Sequence, residues 1–184
     1  MQVALSNDVV ARLVHALALA GSKEIGGILM AEQLNEAGQF RVVDFSVDPH
    51  SGKADYFQRD PSTHGAVLEA FFERNGHDYA RFNYLGEWHS HPTFPVRPSL
   101  RDMKTMLHLV NGDEGIDFAL LMIVKLIEAK TMECSTTLFT RGQRPSVVNL
   151  AADLATGAGD GQMTRSDDAA GAQERLQSII GGDA

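Results

Sequence analysis

Residues 81–91 read Arg81-Phe-Asn-Tyr-Leu-Gly-Glu-Trp-His-Ser-His91, a run in which side chains of different character alternate along the chain. A period of two predicts a β-strand whose successive side chains point to opposite faces of a sheet. Strict alternation places one set on one face: Phe82, Tyr84, Gly86, Trp88 and Ser90. It places the other set on the opposite face: Asn83, Leu85, Glu87, His89 and His91. The strand is therefore predicted to end with two histidines on the same face.

Upstream of this strand, the sequence predicts two helices with a β-hairpin between them. Ser6 is a good helix N-cap, and apolar residues recur after it at intervals of three and four positions. Residues 25–30 and 40–47 are typical of the two strands of a hairpin. Asp60-Pro61 supplies an N-cap and a first-turn proline for the second helix.

Downstream, a proline-rich loop leads to a helix from Ser99 to Asn111 and then to two apolar strands, at residues 116–127 and 131–140. Near-continuous apolar strands are typical of the middle of a sheet. The order of helices and strands predicts an α/β domain with a mixed sheet over residues 1–150. Residues 151–184 are rich in alanine and glycine, acidic and free of aromatic side chains, so we expect a flexible C-terminal tail.

Composition and charge exclude several classes of partner. The 184 residues include 16 Lys and Arg against 24 Asp and Glu, a formal net charge of -8. This charge is opposite in sign to that of proteins that bind nucleic acids or anionic membranes, so neither is expected as a partner. Cys134 is the single cysteine, which excludes an intramolecular disulfide and a thiolate metal site. With no secretory leader and no apolar run of membrane-spanning length, a cytoplasmic protein is expected.

The two histidines at the end of the strand form a pattern typical of metal ligands. Side chains two residues apart on a strand lie on one face, and modest tilting brings two imidazoles to one ion. Asp102 is the expected third ligand, because it lies in the first turn of the next helix, eleven residues after His91. Ser99-x-x-Asp102 also fits a helix capping box, and the two roles are compatible because capping occupies one carboxylate oxygen.

Two imidazoles and one carboxylate leave a fourth position of a tetrahedral zinc ion open. A zinc ion in such a site lowers the pKa of a bound water to about 7, which favours a hydrolase over a structural zinc site. Glu24 is the preferred proton acceptor, because the following Gly26-Gly27 allows close approach of a substrate or another backbone. Glu87 is the alternative base, or else a supporting residue. Ser99 is the candidate donor to a developing oxyanion.

The combined pattern resembles the JAMM metalloproteases, also called MPN-plus or JAB-domain isopeptidases. Members have a Glu on an early strand before Gly-Gly, then His-x-His-Pro, and then Ser-x-x-Asp after a spacing of seven residues. The matching residues are Glu24, Gly26-Gly27, His89-Ser90-His91-Pro92, Ser99 and Asp102. The resemblance implies one zinc ion held by His89, His91, Asp102 and a water. It also implies Glu24 as general acid/base and Ser99 as oxyanion stabiliser.

The resemblance further implies a cytidine-deaminase-like α/β/α fold over residues 1–150. Residues 84–92 look most like the bacterial branch found beside ubiquitin-like conjugation genes, including antiviral defence operons. The implied activity is hydrolysis of the peptide or isopeptide bond after the C-terminal glycine of a ubiquitin-like protein. The implied partners are that protein, its conjugates, and associated E1- and E2-like enzymes.

Two other functions stay open at this point. The same chemistry could trim a ubiquitin-like sulfur carrier in cofactor or cysteine biosynthesis. Alternatively, the chain could be a non-catalytic MPN scaffold, although such scaffolds normally lack one or more of the ligands. A nucleoside deaminase would share the fold, but it needs a Cys-x-x-Cys pair that one cysteine cannot supply.

Overall fold

The computed structural model describes residues 1–48, 61–113, 115–128, 131–152 and 162–165. These residues form three helices: α1 (Asn7–Ala20), α2 (Pro61–Arg74) and α3 (Leu100–Asn111). The first six strands are β1 (Gln2–Leu5), β2 (Gly26–Gln33), β3 (Gln39–Phe45), β4 (Phe82–Ser90), β5 (Phe118–Glu128) and β6 (Thr131–Thr140). Three short strands follow them: β7 (Ser146–Val147), β8 (Leu150–Ala152) and β9 (Gln162–Arg165).

All nine described strands belong to one mixed sheet. Its order is β7-β6-β5-β4-β2-β3-β1-β8, with β9 parallel to β6. The central strand β4 is antiparallel to β2 and parallel to β5. Only residues 148–149 separate β7 from β8, although these strands stand at opposite ends of the order. The sheet must therefore curl so that its two ends approach each other.

Helices cover both faces of the sheet and give the predicted α/β/α layers. Helix α1 packs its apolar side, which includes the fully buried Leu13, against one face of the sheet. Trp88 of β4 belongs to the same apolar cluster. On the other face, α3 packs through Met106 against Ile123 of β5. The α2 side chain Phe71 also packs on that second face. Each large apolar side chain removed from water contributes about 1.5–3 kcal/mol, so these layers hold β4 in the middle of the protein.

The predicted strict alternation along β4 is wrong at one point. Leu29 pairs with Gly86 and Met30 pairs with Tyr84, so Leu85 is an extra residue that forms a β-bulge. Leu85 consequently lies with Trp88 on the α1 side of the sheet, whereas Tyr84 packs on the opposite side. A bulge exchanges the faces of all residues beyond it, which periodicity alone does not reveal. Leu85 is thus not on the face of the histidines.

The bulge depends on a glycine. A Cβ atom added at Gly86 would overlap the backbone nitrogen and carbonyl oxygen of Leu120 on β5. Because backbone in the centre of a sheet cannot move aside cheaply, we expect Gly86→Ala to lower the free energy of unfolding by about 2–3 kcal/mol. Urea denaturation measures this change. Gly65→Ala is the matched control, since no heavy atom lies within 4 Å of its added Cβ. Equal stability of the two variants would contradict the packing argument.

The predicted helices and the main strands are confirmed. Ser6 caps α1 through a bond from the backbone nitrogen of Val9, at 3.2 Å. Strands β1, β7, β8 and β9 were not predicted, because each spans only two to four residues. Asp60 lies outside the described residues, as does most of the C-terminal segment, apart from β8 and β9. In the part of the chain that the structure describes, no helix has both the length and the apolar character needed to cross a bilayer.

Candidate metal centre

The end of β4 is held between its two neighbouring strands. The Ser90 nitrogen donates to the carbonyl oxygen of Ile25 at 2.8 Å, and the Ile25 nitrogen donates to Ser90 Oγ at 3.0 Å. On the other side, the backbone nitrogen of His91 donates to the carbonyl oxygen of Val124 at 2.9 Å. The backbone of residues 89–91 is therefore fixed from both sides, which limits how far the two histidine side chains can move.

His89, His91 and Asp102 converge, as the sequence pattern predicts. The two histidine Nε2 atoms lie 3.1 Å apart, and His89 Nε2 lies 3.7 Å from Asp102 Oδ2. One ligand atom from each of the three residues lies within 4.8 Å of the others. Ligand atoms bonded to tetrahedral zinc at about 2.1 Å are about 3.4 Å apart. The separations of 3.1 and 3.7 Å are thus close to those that a single zinc ion requires.

His91 is oriented by the loop that follows it. Its Nδ1 lies 2.8 Å from the carbonyl oxygen of Pro95, so the tautomer that carries a proton on Nδ1 donates this hydrogen bond. The ring of Phe94 lies edge-on to His91, with centroids 6.3 Å apart and an interplanar angle of 78°. Backbone carbonyls that accept from the outer nitrogen of a histidine fix the tautomer that ligates a metal. In that tautomer Nε2 is the ligating nitrogen, and it lies 3.1 Å from His89 Nε2 in the cluster.

Asp102 closes the predicted capping box at the start of α3. The Ser99 nitrogen donates to Asp102 Oδ2 at 2.7 Å, and the Asp102 nitrogen donates to Ser99 Oγ at 3.2 Å. These two bonds satisfy backbone donors that the first turn of a helix leaves open. They also fix the carboxylate beside His89. An ionised carboxylate offers about four acceptor positions, so capping leaves capacity for a metal ion.

Burial keeps His89 neutral. His89 is only 7% exposed, and its desolvation lowers the pKa of the imidazole from 6.5 to about 4. Asp102 raises this pKa and His91 lowers it further, but burial is the largest of the three effects. A neutral imidazole is the form that ligates metals. The protein thus presents His89 at neutral pH in the state that a metal site needs.

Glu24 lies two residues before the start of β2. Gly26 pairs with His89 in the antiparallel β2–β4 ladder, and continuing this register by two residues would bring Glu24 opposite His91, on the same face. The side chain of Glu24 is 5% exposed, which is unusual for a carboxylate. A Cβ at Gly26 would lie 2.8 Å from the His89 Cβ, so a larger residue there would displace the histidine.

Glu87, the alternative base, occupies a different place. It lies two residues before His89 and pairs with Ile28, deeper in the sheet. Its side chain is half-buried. Glu24 therefore precedes the end of β2 that lies beside the cluster. Glu87 lies two residues deeper in the sheet than His89.

Two features of the site were not predicted from the sequence. The Pro95 carbonyl supports His91 from a loop, and a backbone acceptor leaves no signal in side-chain patterns. Lys125 donates from β5 to the carbonyl oxygen of Phe94 at 3.4 Å. A lysine near the end of a strand reads as a solvated surface residue, and only the parallel pairing of β4 and β5 brings it to this loop.

Fold and site together define a mixed α/β protein with a histidine–histidine–carboxylate cluster at the end of its central strand. Comparison with known families gives this description a name. The chain belongs to the family described as prokaryotic homologs of the JAB domain, which matches residues 6–138. The predicted family and fold class are therefore confirmed.

Individual relatives are distant. A protein of Enterobacter hormaechei subsp. hoffmannii (strain UCI 50), named CD-NTase/cGAS isopeptidase, is 25% identical over 146 residues, which is 78% of each chain. The solution structure of a Desulfitobacterium hafniense protein is 19% identical and covers 83% of this chain and 93% of its own, with a TM-score of 0.61. A JAB1/MPN domain protein from Archaeoglobus fulgidus is 13% identical over 82% of this chain and 98% of its own, with a TM-score of 0.40. The similarity to the Desulfitobacterium hafniense structure supports the fold alone.

Proposed function

We propose that this protein is a zinc-dependent isopeptidase or peptidase that cleaves after the C-terminal glycine of a ubiquitin-like protein. The observation that carries the proposal is the convergence of His89, His91 and Asp102 at the strand end. Glu24 is buried and lies two residues before Gly26, which pairs with His89. Membership of the JAB family and a relative named as an isopeptidase give the same reaction class. The name of that relative, CD-NTase/cGAS isopeptidase, supports isopeptide-linked conjugates as the substrates. We assign the protein to a bacterial ubiquitin-like conjugation or antiviral defence system.

In this proposal, His89 and His91 provide Nε2 atoms and Asp102 provides a carboxylate oxygen to one zinc ion. When bound, the ion would act as a Lewis acid and lower the pKa of a water ligand to about 7. The residues present fit the ion, because two imidazoles and one carboxylate are ligands that zinc prefers. The neutral state of His89 follows from its burial.

Glu24 moves the proton in the proposed reaction. Its carboxylate accepts a proton from the attacking water and then donates it to the nitrogen of the leaving amine. A proton carrier must lie within hydrogen-bond reach of both atoms during the reaction. The pairing of Gly26 with His89, two residues after Glu24, supports this role. Its burial restricts the side chain and excludes bulk water that would compete for the proton.

Ser99 is proposed to stabilise the oxyanion of the tetrahedral intermediate. Its Oγ accepts the capping bond from the Asp102 nitrogen, and the hydroxyl proton can still be donated outward. The residue is exposed at the start of α3, next to the proposed ligand Asp102. A donor at this position would be aimed at charge that develops beside the ligand cluster.

Ser99→Ala tests two roles of one hydroxyl. We expect the free energy of unfolding to fall by about 1 kcal/mol through loss of the helix cap, and kcat to fall about 100-fold through loss of the oxyanion donor. Ser6→Ala is the matched control, because Ser6 caps α1 through the same kind of bond. It should lose similar stability with kcat unchanged. Parallel losses of stability and kcat in both variants would show that Ser99 acts only as a cap.

A direct assay tests the proposed function. The protein, loaded with zinc, is incubated with fusions in which each of several ubiquitin-like proteins, sulfur carriers included, precedes a reporter domain. We expect one class of fusion to give a new C-terminus that ends in glycine, identified by mass spectrometry. Cleavage of sulfur-carrier fusions alone would move the function to cofactor biosynthesis. A zinc-loaded protein that cleaves no fusion and no isopeptide conjugate would favour a non-catalytic scaffold.

A further inference from the structure

The loop between β4 and α3, residues 92–98, supports His91 through the carbonyl oxygen of Pro95. Thr93, Phe94 and Pro95 are exposed, with Phe94 50% accessible. Val96 is the buried residue of this loop, at 1% exposure, and it packs in the apolar cluster of α3. The backbone nitrogen of Arg97 donates to the Pro95 carbonyl oxygen at 2.8 Å. Because residues 93–95 are exposed, a further contact to this half of the loop would help to hold the Pro95 carbonyl toward His91.

Lys125 makes such a contact. Ser90 pairs with Val124 in the parallel β4–β5 ladder, so the next residue of β5, Lys125, lies beside His91. Ile123 packs on the α3 side of the sheet, and Lys125, two residues further on, faces that side as well. Its half-buried side chain brings Nζ to 3.4 Å from the Phe94 carbonyl oxygen. The ammonium makes this contact although Glu133 stands opposite Lys125 in the β5–β6 register.

We propose that Lys125 is a positioning residue of the site: its ammonium group holds the loop of residues 92–98 so that the Pro95 carbonyl fixes the ring of His91. The contacts form a short series, from Lys125 Nζ to the Phe94 carbonyl, and from the adjacent Pro95 carbonyl to His91 Nδ1. The proposal rests on the proposed function only in taking His91 as a zinc ligand. The orientation of the imidazole is a property of the protein without metal.

The size of the effect follows from the place of Lys125 in this series. Loss of an outer partner of a metal-ligating histidine typically weakens metal affinity 10–100-fold. Lys125 acts one contact further out, and its bond is near the upper limit of hydrogen-bond distance, so we expect the lower end of that range. Lys125→Met keeps the length of the side chain and removes the charge and the donor. Lys125→Arg keeps both.

The experiment has two readouts that do not depend on turnover. In metal-free protein labelled with ¹⁵N, the Nδ1–H proton of His91 should give a protected imidazole resonance, assigned by its loss in His91→Ala. We expect Lys125→Met to speed the exchange of this proton about 10-fold, because the loop that accepts its hydrogen bond opens more often, and Lys125→Arg to restore it. Zinc affinity, measured by competition with a chromophoric chelator, should fall about 10-fold in Lys125→Met and recover in Lys125→Arg.

Lys104→Met is the matched control, since Lys104 is an exposed lysine of α3. It should leave both readouts at wild-type values. Proton exchange and zinc affinity in Lys125→Met equal to those of Lys104→Met would overturn the proposal. Failure of the wild-type protein to bind zinc would instead contradict the proposed function, and the exchange of the His91 proton would still decide the role of Lys125.

Discussion

Glu24→Gln is expected to reduce the cleavage of a modifier fusion about a thousand-fold while zinc content and fold stay unchanged. The amide has nearly the shape of the carboxylate but cannot accept a proton from water or return it to the leaving amine. General acid–base catalysis by one placed group contributes about 10²–10⁴-fold, and the same group serves both proton transfers here. Single-turnover kinetics with excess enzyme measure the change, with zinc content determined by elemental analysis of the same samples.

Glu87→Gln is the matched control for this variant. Glu87 lies on the same strand as the histidines but deeper in the sheet, opposite Ile28. We expect its loss to change the rate by less than about 10-fold, because a group that does not reach the attacking water contributes no proton transfer. The reverse result, with full activity in Glu24→Gln and a large loss in Glu87→Gln, would assign the base to Glu87.

The sequence predicts that His89, His91 and Asp102 lie close together, and the structure agrees for a local reason. His89 and His91 are two residues apart, and Asp102 follows a short loop at the cap of a helix. Strand periodicity and capping rules both act over a few residues, so they place these side chains without knowledge of the remaining fold. The position of Glu24 depends on the pairing of β2 with β4, two strands that are far apart in the sequence. The Gly26-Gly27 pattern nevertheless predicted correctly that another backbone approaches closely at this point.

The errors and omissions have long-range causes. The bulge at Leu85 occurs where the backbone of the next residue, Gly86, packs closely against Leu120, a residue far along the chain. Periodicity within one strand contains no information about that partner. Likewise, β8 is three residues long and is stabilised by pairing with β1, and its Leu150 is buried in the cluster around α1. Such short edge strands have no pattern of their own.

His89→Ala is expected to lower zinc affinity by more than about 100-fold and to abolish cleavage. Removing an outer partner of a ligand already costs up to about 100-fold in metal affinity, and loss of the ligand itself removes a bond to the ion. The wild-type protein should hold about one zinc ion per chain, as a three-ligand hydrolytic site does. Elemental analysis after dialysis against a chelator, with competition titration, measures both quantities.

His108→Ala controls for the loss of any imidazole, because His108 is exposed on α3, away from the buried cluster. It should keep wild-type zinc content.

Rescue by imidazole provides a second test of His89. The neutral ring of His89 occupies a buried site beside Asp102 and His91, and its replacement by alanine leaves those two groups facing a void. Exogenous imidazole is small enough to enter such a void, so partial recovery of zinc binding by imidazole in His89→Ala would assign the loss to the ligand. Full zinc occupancy of the variant without imidazole would refute His89 as a ligand, and with it the geometry on which the proposed reaction depends.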